Sequence, residues 1–182
     1  PSNKLLPALF AVTPQRNLVL LGFMGTGKSA LGRRVAERTN RSFLDMDAEL
    51  ERRAGKPIPA IFAEDGEAAF RDMETALAVE WGRQTGAVIS CGGGVVLREE
   101  NLQALSANGI LVCLTARPEV ILQRTSREKN RPLLAGENPE EKIRALLSAR
   151  APHYAKIPIQ LDTSDASLDD LTERLTKIWT SA

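Results

Sequence analysis

The chain has 182 residues, a formal net charge of +1 and 43% hydrophobic side chains. This length suits one domain with a substantial core, and so small a net charge gives no indication of a nucleic-acid partner or an anionic membrane surface. No apolar run approaches the roughly 18 residues that a membrane-spanning helix needs. We therefore expect a soluble, cytoplasmic monomer whose partners are small molecules.

Residues 1–16 are interpreted as an N-terminal extension, followed by a single domain over residues 17–182. The extension carries Pro1, Pro7 and Pro14 and a short apolar patch, but it lacks the charged start and the cleavage site of an export signal. We expect this extension to be flexible or loosely docked.

The first predicted strand, residues 17–21, leads directly into a glycine-rich loop. Residues 22–29 match the phosphate-binding pattern G-x-x-x-x-G-K-[ST], and a helix is expected to open at Gly27 or Lys28. Glycines let the backbone approach a polyphosphate, Lys28 can reach the β- and γ-phosphates, and the Ser29 hydroxyl can ligate Mg²⁺. An ordinary glycine turn before a helix is the alternative. The strand, turn and helix in this order favour nucleotide binding over that alternative.

Two carboxylates, Asp45 and Asp47, fall at the end of the second predicted strand, whose apolar run covers residues 42–45. Positions i and i+2 of a strand point to the same side, so both would face the crevice beyond the strand ends. One could hold Mg²⁺ through water while the other accepts a proton or a hydroxyl hydrogen bond. Alternatively, Asp47 caps the helix that begins after it. The sequence leaves both possibilities open.

A helix is predicted next, because apolar residues recur at steps of three and four at Phe70, Met73, Leu77 and Trp81. Arg71 and Glu74 lie three residues apart on this helix and could pair, although such a pair more commonly marks a solvated helix face.

The third predicted strand, residues 87–91, ends in three glycines, Gly92, Gly93 and Gly94. They allow a ligand to lie close to the main chain, or they form a tight turn. Their position at the same sheet edge as the first loop favours the ligand. Cys91 and Cys113 lie in apolar segments without a metal-binding pattern, so we expect buried reduced thiols and a cytosolic setting.

The fourth and fifth predicted strands, residues 110–114 and 157–161, flank a polar segment. Residues 126–138 carry Pro132 and Gly136 and are predicted to form a mobile surface loop, a candidate lid. Five strands alternating with helices indicate βαβ units around a parallel sheet that helices cover on both faces.

With these segments in place, the chain resembles the shikimate kinases from Leu18 to about Ile178. The matching segments are residues 22–32, 45–47, 61–67 with Phe70 and Arg71, 92–94, 131–134 and 150–154. The resemblance implies an α/β fold of three layers, α/β/α, with a central five-stranded parallel sheet and a mobile lid. It also implies a single P-loop kinase domain that uses ATP and Mg²⁺ to phosphorylate the 3-hydroxyl of shikimate, a step of chorismate and aromatic amino acid biosynthesis.

On the acceptor side, the resemblance implies that Asp47 binds the substrate hydroxyls and serves as the base. Arg71 and Arg150 would clamp the substrate carboxylate, and Glu74 would orient Arg71. The remaining contacts would be made by the backbone of Gly92, Gly93 and Gly94 and by the rings of Phe62 and Phe70.

On the nucleotide side, the resemblance implies that Ser29 holds Mg²⁺ with Asp45 behind it through water. Arg131 would come down with the lid onto the transferring phosphate, and Arg124 would lie against adenine. The phosphates would be held by Gly25, Thr26, Gly27, Lys28, Ser29 and Ala30. The catalytic residues would be Lys28, Asp47 and Arg131.

Two other functions compete with this interpretation. A relative acting on a nucleoside monophosphate would need a pocket that reads the base. One acting on gluconate would not be expected to combine Arg71, the three glycines and Arg150 in this order. A nucleotide-binding regulator without catalysis would be expected to have lost a phosphate, metal or substrate group, yet those groups are all present. In the expected adenine region, residues 162–167, the sequence singles out no side chain.

Overall fold

The computed structural model describes residues 16–126 and 138–181. Five parallel strands form one sheet in the order β2-β3-β1-β4-β5. Their bounds are Asn17–Gly22 (β1), Phe43–Asp45 (β2), Val88–Ser90 (β3), Gly109–Thr115 (β4) and Ile159–Asp162 (β5). The predicted five-stranded parallel sheet is therefore confirmed, and only the strand ends differ by one to two residues.

Eight helices and one 3₁₀ turn, Val95–Leu97, connect the strands in the described parts of the chain. The helices are Lys28–Thr39 (α1), Met46–Ala54 (α2), Ile58–Glu64 (α3), Glu67–Gly82 (α4), Glu99–Ala107 (α5), Pro118–Thr125 (α6), Pro139–Tyr154 (α7) and Leu168–Thr180 (α8). None of them is long and apolar enough to cross a membrane.

The apolar core divides into two layers, one on each face of the sheet. In β1, Leu18 and Leu20 pack with α1 and α8, whereas Val19 and Leu21 face the larger layer that includes α2, α4 and α7. Successive side chains of a strand point to opposite faces, so one apolar strand supplies both layers. The predicted three-layer α/β/α arrangement is confirmed. The predicted stripe on α4 lies in the larger layer, with Met73 only partly buried.

All five parallel strands end at the same edge of the sheet, and this edge positions the site. The phosphate loop follows β1, Asp45 ends β2, the three glycines follow β3, and Thr163 follows β5. Ligands of open α/β sheets bind beyond this carboxyl edge, where chain reversals leave a crevice.

Two predicted segments fall largely outside the described residues. Within residues 1–16 only Arg16 is described: its guanidinium donates to the carbonyl of Gly109 at 2.8 Å, and its own carbonyl accepts from the Trp179 indole at 2.8 Å. Of the lid, only residues 126 and 138 are described, so Arg131, Pro132 and Gly136 lie outside.

Candidate active site

The phosphate loop has the predicted strand, turn and helix arrangement, with α1 beginning at Lys28. Gly25 and Gly27 have φ values of 75° and 94°, a backbone conformation that a side chain would strain. Gly27 precedes the helix without a side-chain cap, and the first turn of α1 contains no acidic residue. The positive end of the helix is therefore open to an anion.

Lys28 and Thr26 tie this loop together from within. The Lys28 ammonium donates to the carbonyls of Gly22 at 2.9 Å and Phe23 at 2.8 Å, and the Thr26 hydroxyl donates to Phe23 at 2.7 Å. Lys28 thus lies over the loop, where a phosphate chain in the cradle would meet its charge. Ser29 and Ala30 follow it in the first turn of α1.

Ser29, Asp45 and Ser90 meet beside the loop. The Ser29 hydroxyl donates to Asp45 Oδ2 at 2.8 Å and lies 3.3 Å from the Ser90 hydroxyl. Ser90 was missed by the sequence interpretation, since a lone serine at a strand end carries no signal. In the described chain no cluster of three or more His, Cys, Asp or Glu could hold a metal. One hydroxyl and one carboxylate still suit Mg²⁺, which keeps several waters and phosphate oxygens as ligands.

Asp47 lies on a different element from the predicted one. The strand ends at Asp45, which itself caps α2 by accepting from Ala48 N, while Asp47 lies in the first turn of the helix. The prediction that both carboxylates share a strand face was wrong, as was the alternative that Asp47 is the cap. Asp47 nevertheless lines the cavity described next, because the start of α2 points it there.

A cavity of about 470 Å³ opens beside the phosphate loop. Charged and apolar side chains both line it, the combination that orients a small polar ligand. The residues that line it are Met24, Asp47, Glu51, Pro57, Ile58, Pro59, Phe62, Phe70, Arg71, Glu74, Gly92, Gly93, Gly94 and Arg150.

Arg71 and Glu74 form a buried ion pair on the cavity wall. Arg71 Nη1 donates to Glu74 Oε2 at 2.5 Å, and the Glu74 side chain is 1% exposed. The solvated helix face considered for this pair is therefore excluded. Burial raises the pKa of Glu74 although the Arg71 charge opposes it. Burial alone would lower the pKa of Arg71, but Glu74 and Glu67 outweigh it and the pKa is raised, so Arg71 stays charged.

Aromatic rings hold the Arg71 guanidinium from a second side. Its central carbon lies 5.8 Å from the centre of the Phe62 ring and 5.4 Å from that of Phe70. The two rings are themselves 4.7 Å apart. Ring faces attract a cation at such distances, and the guanidinium is thereby fixed before any ligand arrives.

Each of the three glycines makes room for a different charged side chain. A Cβ on Gly92 would lie 2.6 Å from Asp47 Oδ1, and one on Gly93 would lie 3.3 Å from Arg150 Nη1. A Cβ on Gly94 would overlap the Arg71 guanidinium. This spatial reason was not foreseen from the sequence, which suggested a ligand contact or a turn.

Arg150 enters the cavity from α7 and is 7% exposed. Its guanidinium carbon lies 5.8 Å from the centre of the Phe23 ring, next to the phosphate loop. One turn further on, the Tyr154 hydroxyl donates to the carbonyl of Gly93 at 2.8 Å, and burial raises the pKa of Tyr154 to about 12. This hydrogen bond attaches α7 to the glycine loop and so helps to place Arg150.

Arg124, on α6, joins the phosphate loop to the segment after β5. It donates to the carbonyl of Gly25 at 3.1 Å and to the carbonyl of Thr163 at 2.6 Å. Arg124 therefore lies beside the phosphate loop, although the cavity above does not include it, and its contact with adenine stays a prediction. The predicted catalytic residue Arg131 lies outside the described residues.

Known proteins similar to this chain are found by both sequence and structure. The family model described as Shikimate kinase matches residues 24–179. A shikimate kinase from Pelotomaculum thermopropionicum is 47% identical over 160 residues, covering 88% of this chain and 93% of the relative. One from Desulforudis audaxviator is 51% identical over 153 residues, covering 84% and 80%. The structure of a shikimate kinase from Acinetobacter baumannii in complex with shikimate is 40% identical, with a TM-score of 0.88 and coverage of 94% and 96%.

Proposed function

The chain belongs to the shikimate kinase family, and we propose that it transfers the γ-phosphoryl group of ATP to the 3-hydroxyl of shikimate. The products are shikimate 3-phosphate and ADP, and the reaction is a step of chorismate and aromatic amino acid biosynthesis. One observation carries the proposal. A Cβ on Gly93 would lie 3.6 Å from the Gly22 carbonyl oxygen of the phosphate loop and 3.3 Å from Arg150 in the cationic cavity, so the donor and acceptor halves adjoin there.

The acceptor half suits a small carboxylate with several hydroxyls. Arg71 and Arg150 receive the carboxylate, since two guanidinium groups converge on one cavity and bind such an anion with paired hydrogen bonds. Glu74 keeps Arg71 in place through the buried ion pair. Asp47 and the backbone of Gly92, Gly93 and Gly94 bind the ring hydroxyls, while Phe62 and Phe70 form the wall of the cavity.

The donor half holds the triphosphate by its backbone and one lysine. Residues 25–30 surround the phosphates, and Lys28 neutralises charge on the transferring group. Ser29, with Asp45 behind it through water, would hold Mg²⁺, which would supply positive charge that offsets the charge of the phosphates. In this proposal Arg124 contacts the adenine side, and Arg131 reaches the γ-phosphate from the lid, residues 126–138.

The reaction itself needs positioning more than a strong base. The shikimate 3-hydroxyl oxygen bonds to the γ-phosphorus, the bond from phosphorus to the bridging oxygen of ADP breaks, and the hydroxyl proton passes to Asp47. Charge spreads over the phosphoryl oxygens in this step, so cations placed in advance lower the barrier most. Exclusion of water by a closing lid would keep ATP from hydrolysis.

A coupled assay of ADP release tests the proposal, with shikimate, gluconate and AMP offered separately as acceptors. We expect rapid ADP release with shikimate and only background release with the other two. Equal release with all three acceptors, or none with shikimate, would contradict the assignment.

A further inference from the structure

The Thr163 hydroxyl lies where four segments of the chain meet. Thr163 is 1% exposed and is the first residue after β5. Its Oγ1 lies 3.0 Å from the carbonyl of Thr26 in the phosphate loop and 3.0 Å from the carbonyl of Thr115 at the end of β4. It also accepts from Arg124 Nη1, on α6, at 3.1 Å. One hydroxyl therefore connects the loop to two strands and a helix.

The hydrogen bond to Thr26 acts on a peptide group within the phosphate loop. The carbonyl of Thr26 and the N–H of Gly27 belong to the same peptide unit, and the described residues contain no cis peptide bond. In a planar trans peptide the N–H points opposite to the carbonyl. A hydroxyl that holds this carbonyl therefore also fixes the direction of the Gly27 N–H, on the side of the peptide away from Thr163.

The loop needs such a restraint from outside. Gly25 and Gly27 on either side of Thr26 have positive φ values, and glycine backbones of this kind have many other conformations available. Arg124 restrains the preceding peptide in the same way, by donating to the carbonyl of Gly25. The Thr163 backbone is itself fixed, because its N–H donates to Thr115 at 2.9 Å.

We propose that Thr163 is a positioning residue for phosphoryl transfer, which holds the Thr26–Gly27 peptide in the orientation that binds phosphate. The inference rests on the proposed nucleotide site, but it adds a residue to that site and a reason for the shape of its loop. Thr163 does not touch the substrate: it acts through the carbonyl of Thr26. We therefore expect Thr163 to affect the binding of nucleotide and to leave the binding of shikimate unchanged.

The variant Thr163→Val tests this, because valine keeps the shape and loses the hydroxyl. We expect the Kd of ADP, measured by calorimetric titration without shikimate, to rise about tenfold, the usual effect of one lost hydrogen bond that orders a binding group. The Kd of shikimate, measured without nucleotide, should stay within about twofold. Thr163→Ser, which restores the hydroxyl, should recover most of the ADP affinity.

Thr172→Val is the matched control. Thr172 is also buried and its hydroxyl donates to the carbonyl of Leu168, but it lies on α8, on the opposite face of the sheet from the cavity. We expect it to lower the melting temperature without changing the affinity for ADP. If Thr163→Val does not fold, Thr163→Cys, whose thiol is a weaker donor, is used for the same titrations.

The outcomes separate the inference from the proposed function. A wild-type protein that binds no ADP would contradict the proposed function itself. A wild type that binds ADP while Thr163→Val binds it equally well would overturn only the role of Thr163. Parallel losses of ADP and shikimate affinity would also overturn it, since they would mean that Thr163 supports the fold as a whole.

Discussion

The guanidinium group of Arg71 lies against the Cα of Gly94, so closely that any side chain at position 94 would overlap it. Gly94 has φ −94° and ψ −6°, values that any residue adopts. The requirement for glycine here is therefore one of space, and it arises from the side chain that the glycine faces.

Replacing Gly94 with alanine should accordingly impair shikimate binding much more than nucleotide binding. The added methyl group strains no backbone dihedral, but it displaces the Arg71 guanidinium from the position held by Glu74. We expect the KM for shikimate to rise at least tenfold, with the KM for ATP unchanged, and the free energy of unfolding to fall by roughly 1 to 3 kcal/mol, because moving the guanidinium weakens its ion pair with the buried Glu74. Steady-state kinetics and thermal denaturation measure these quantities.

A double variant identifies the cause of that loss. If the methyl group acts through Arg71, adding Gly94→Ala to Arg71→Ala should not raise the KM for shikimate any further, because the side chain that the methyl group displaces is already absent. Additive losses would show that position 94 acts independently of Arg71.

Arg150→Ala should weaken shikimate binding by on the order of 2 to 5 kcal/mol, since it removes one partner of a largely desolvated charge pair. Arg144→Ala is the matched control on the same helix, because Arg144 is 55% exposed and pairs with Glu140 at 2.9 Å. Calorimetric titration with shikimate compares the two variants. Unchanged affinity in Arg150→Ala would remove this residue from the site.

Lys28→Met should depress turnover far more than stability. Its ammonium lies over the phosphate loop, and loss of one such charged donor commonly lowers kcat about a hundredfold or more. Lys177→Met, on α8, serves as the control, because the Lys177 side chain is 71% exposed and pairs across one helical turn with Glu173. A kcat near that of the wild type would contradict the role given to Lys28.

Both cysteines should be unreactive in the native protein. Burial raises the pKa of Cys91 well above its usual range and that of Cys113 to about 11. At pH 8 about one in a thousand thiols with the latter pKa is ionised. Burial also keeps reagents away from both sulfur atoms. We expect Ellman's reagent to label neither thiol within minutes and both after unfolding in guanidinium. Rapid labelling of the native protein would show that a strand end opens.

Glu49 should make stability depend on acid pH. Hydrogen bonds from Arg52 and then Arg53 lower the pKa of Glu49 to about 2, from a usual value of 4.5. A carboxyl group with a lowered folded-state pKa stabilises the protein above pH 4.5, and this contribution is lost as the pH falls toward 2. Glu49→Gln should therefore lower the melting temperature at pH 7, and the difference from the wild type should shrink between pH 4.5 and pH 3.

Glu37→Gln, on an exposed position of α1, is the control for this pH series. We expect its melting temperature to follow that of the wild type over the whole range. A difference between Glu49→Gln and the wild type that stays constant with pH would mean that the ionisation of Glu49 is not involved.

The elements that the sequence predicted correctly are those that depend on neighbouring residues. Five short apolar runs became five strands, and the phosphate loop became a strand, turn and helix, because hydrophobic periodicity and glycine placement act locally. The predicted position of Asp47 on the strand was wrong, because the strand ends at Asp45 and the helix begins at the next residue. Propensities do not resolve such a boundary, since both residues fit either element.

The site residues that the sequence missed or misjudged depend on distant parts of the chain. Thr163 bonds to Thr26, which lies 137 residues away, and to Thr115, which lies 48 away. Arg71 and Glu74 have the spacing of an ordinary surface pair, and only the packing of α3 and the glycine loop over α4 buries them. No pattern within a helix predicts what will cover it.

The amino-acid sequence by itself determined that this protein has a phosphate-binding loop at the edge of a parallel sheet, since both features follow from residues close together in the chain. Only the tertiary structure decided which charges face one another in the cavity and why three consecutive glycines lie between them. The physical reason is that burying a charge costs free energy unless a partner is fixed beside it, and the partners come from α2, α4 and α7. Their meeting depends on the packing of the whole domain.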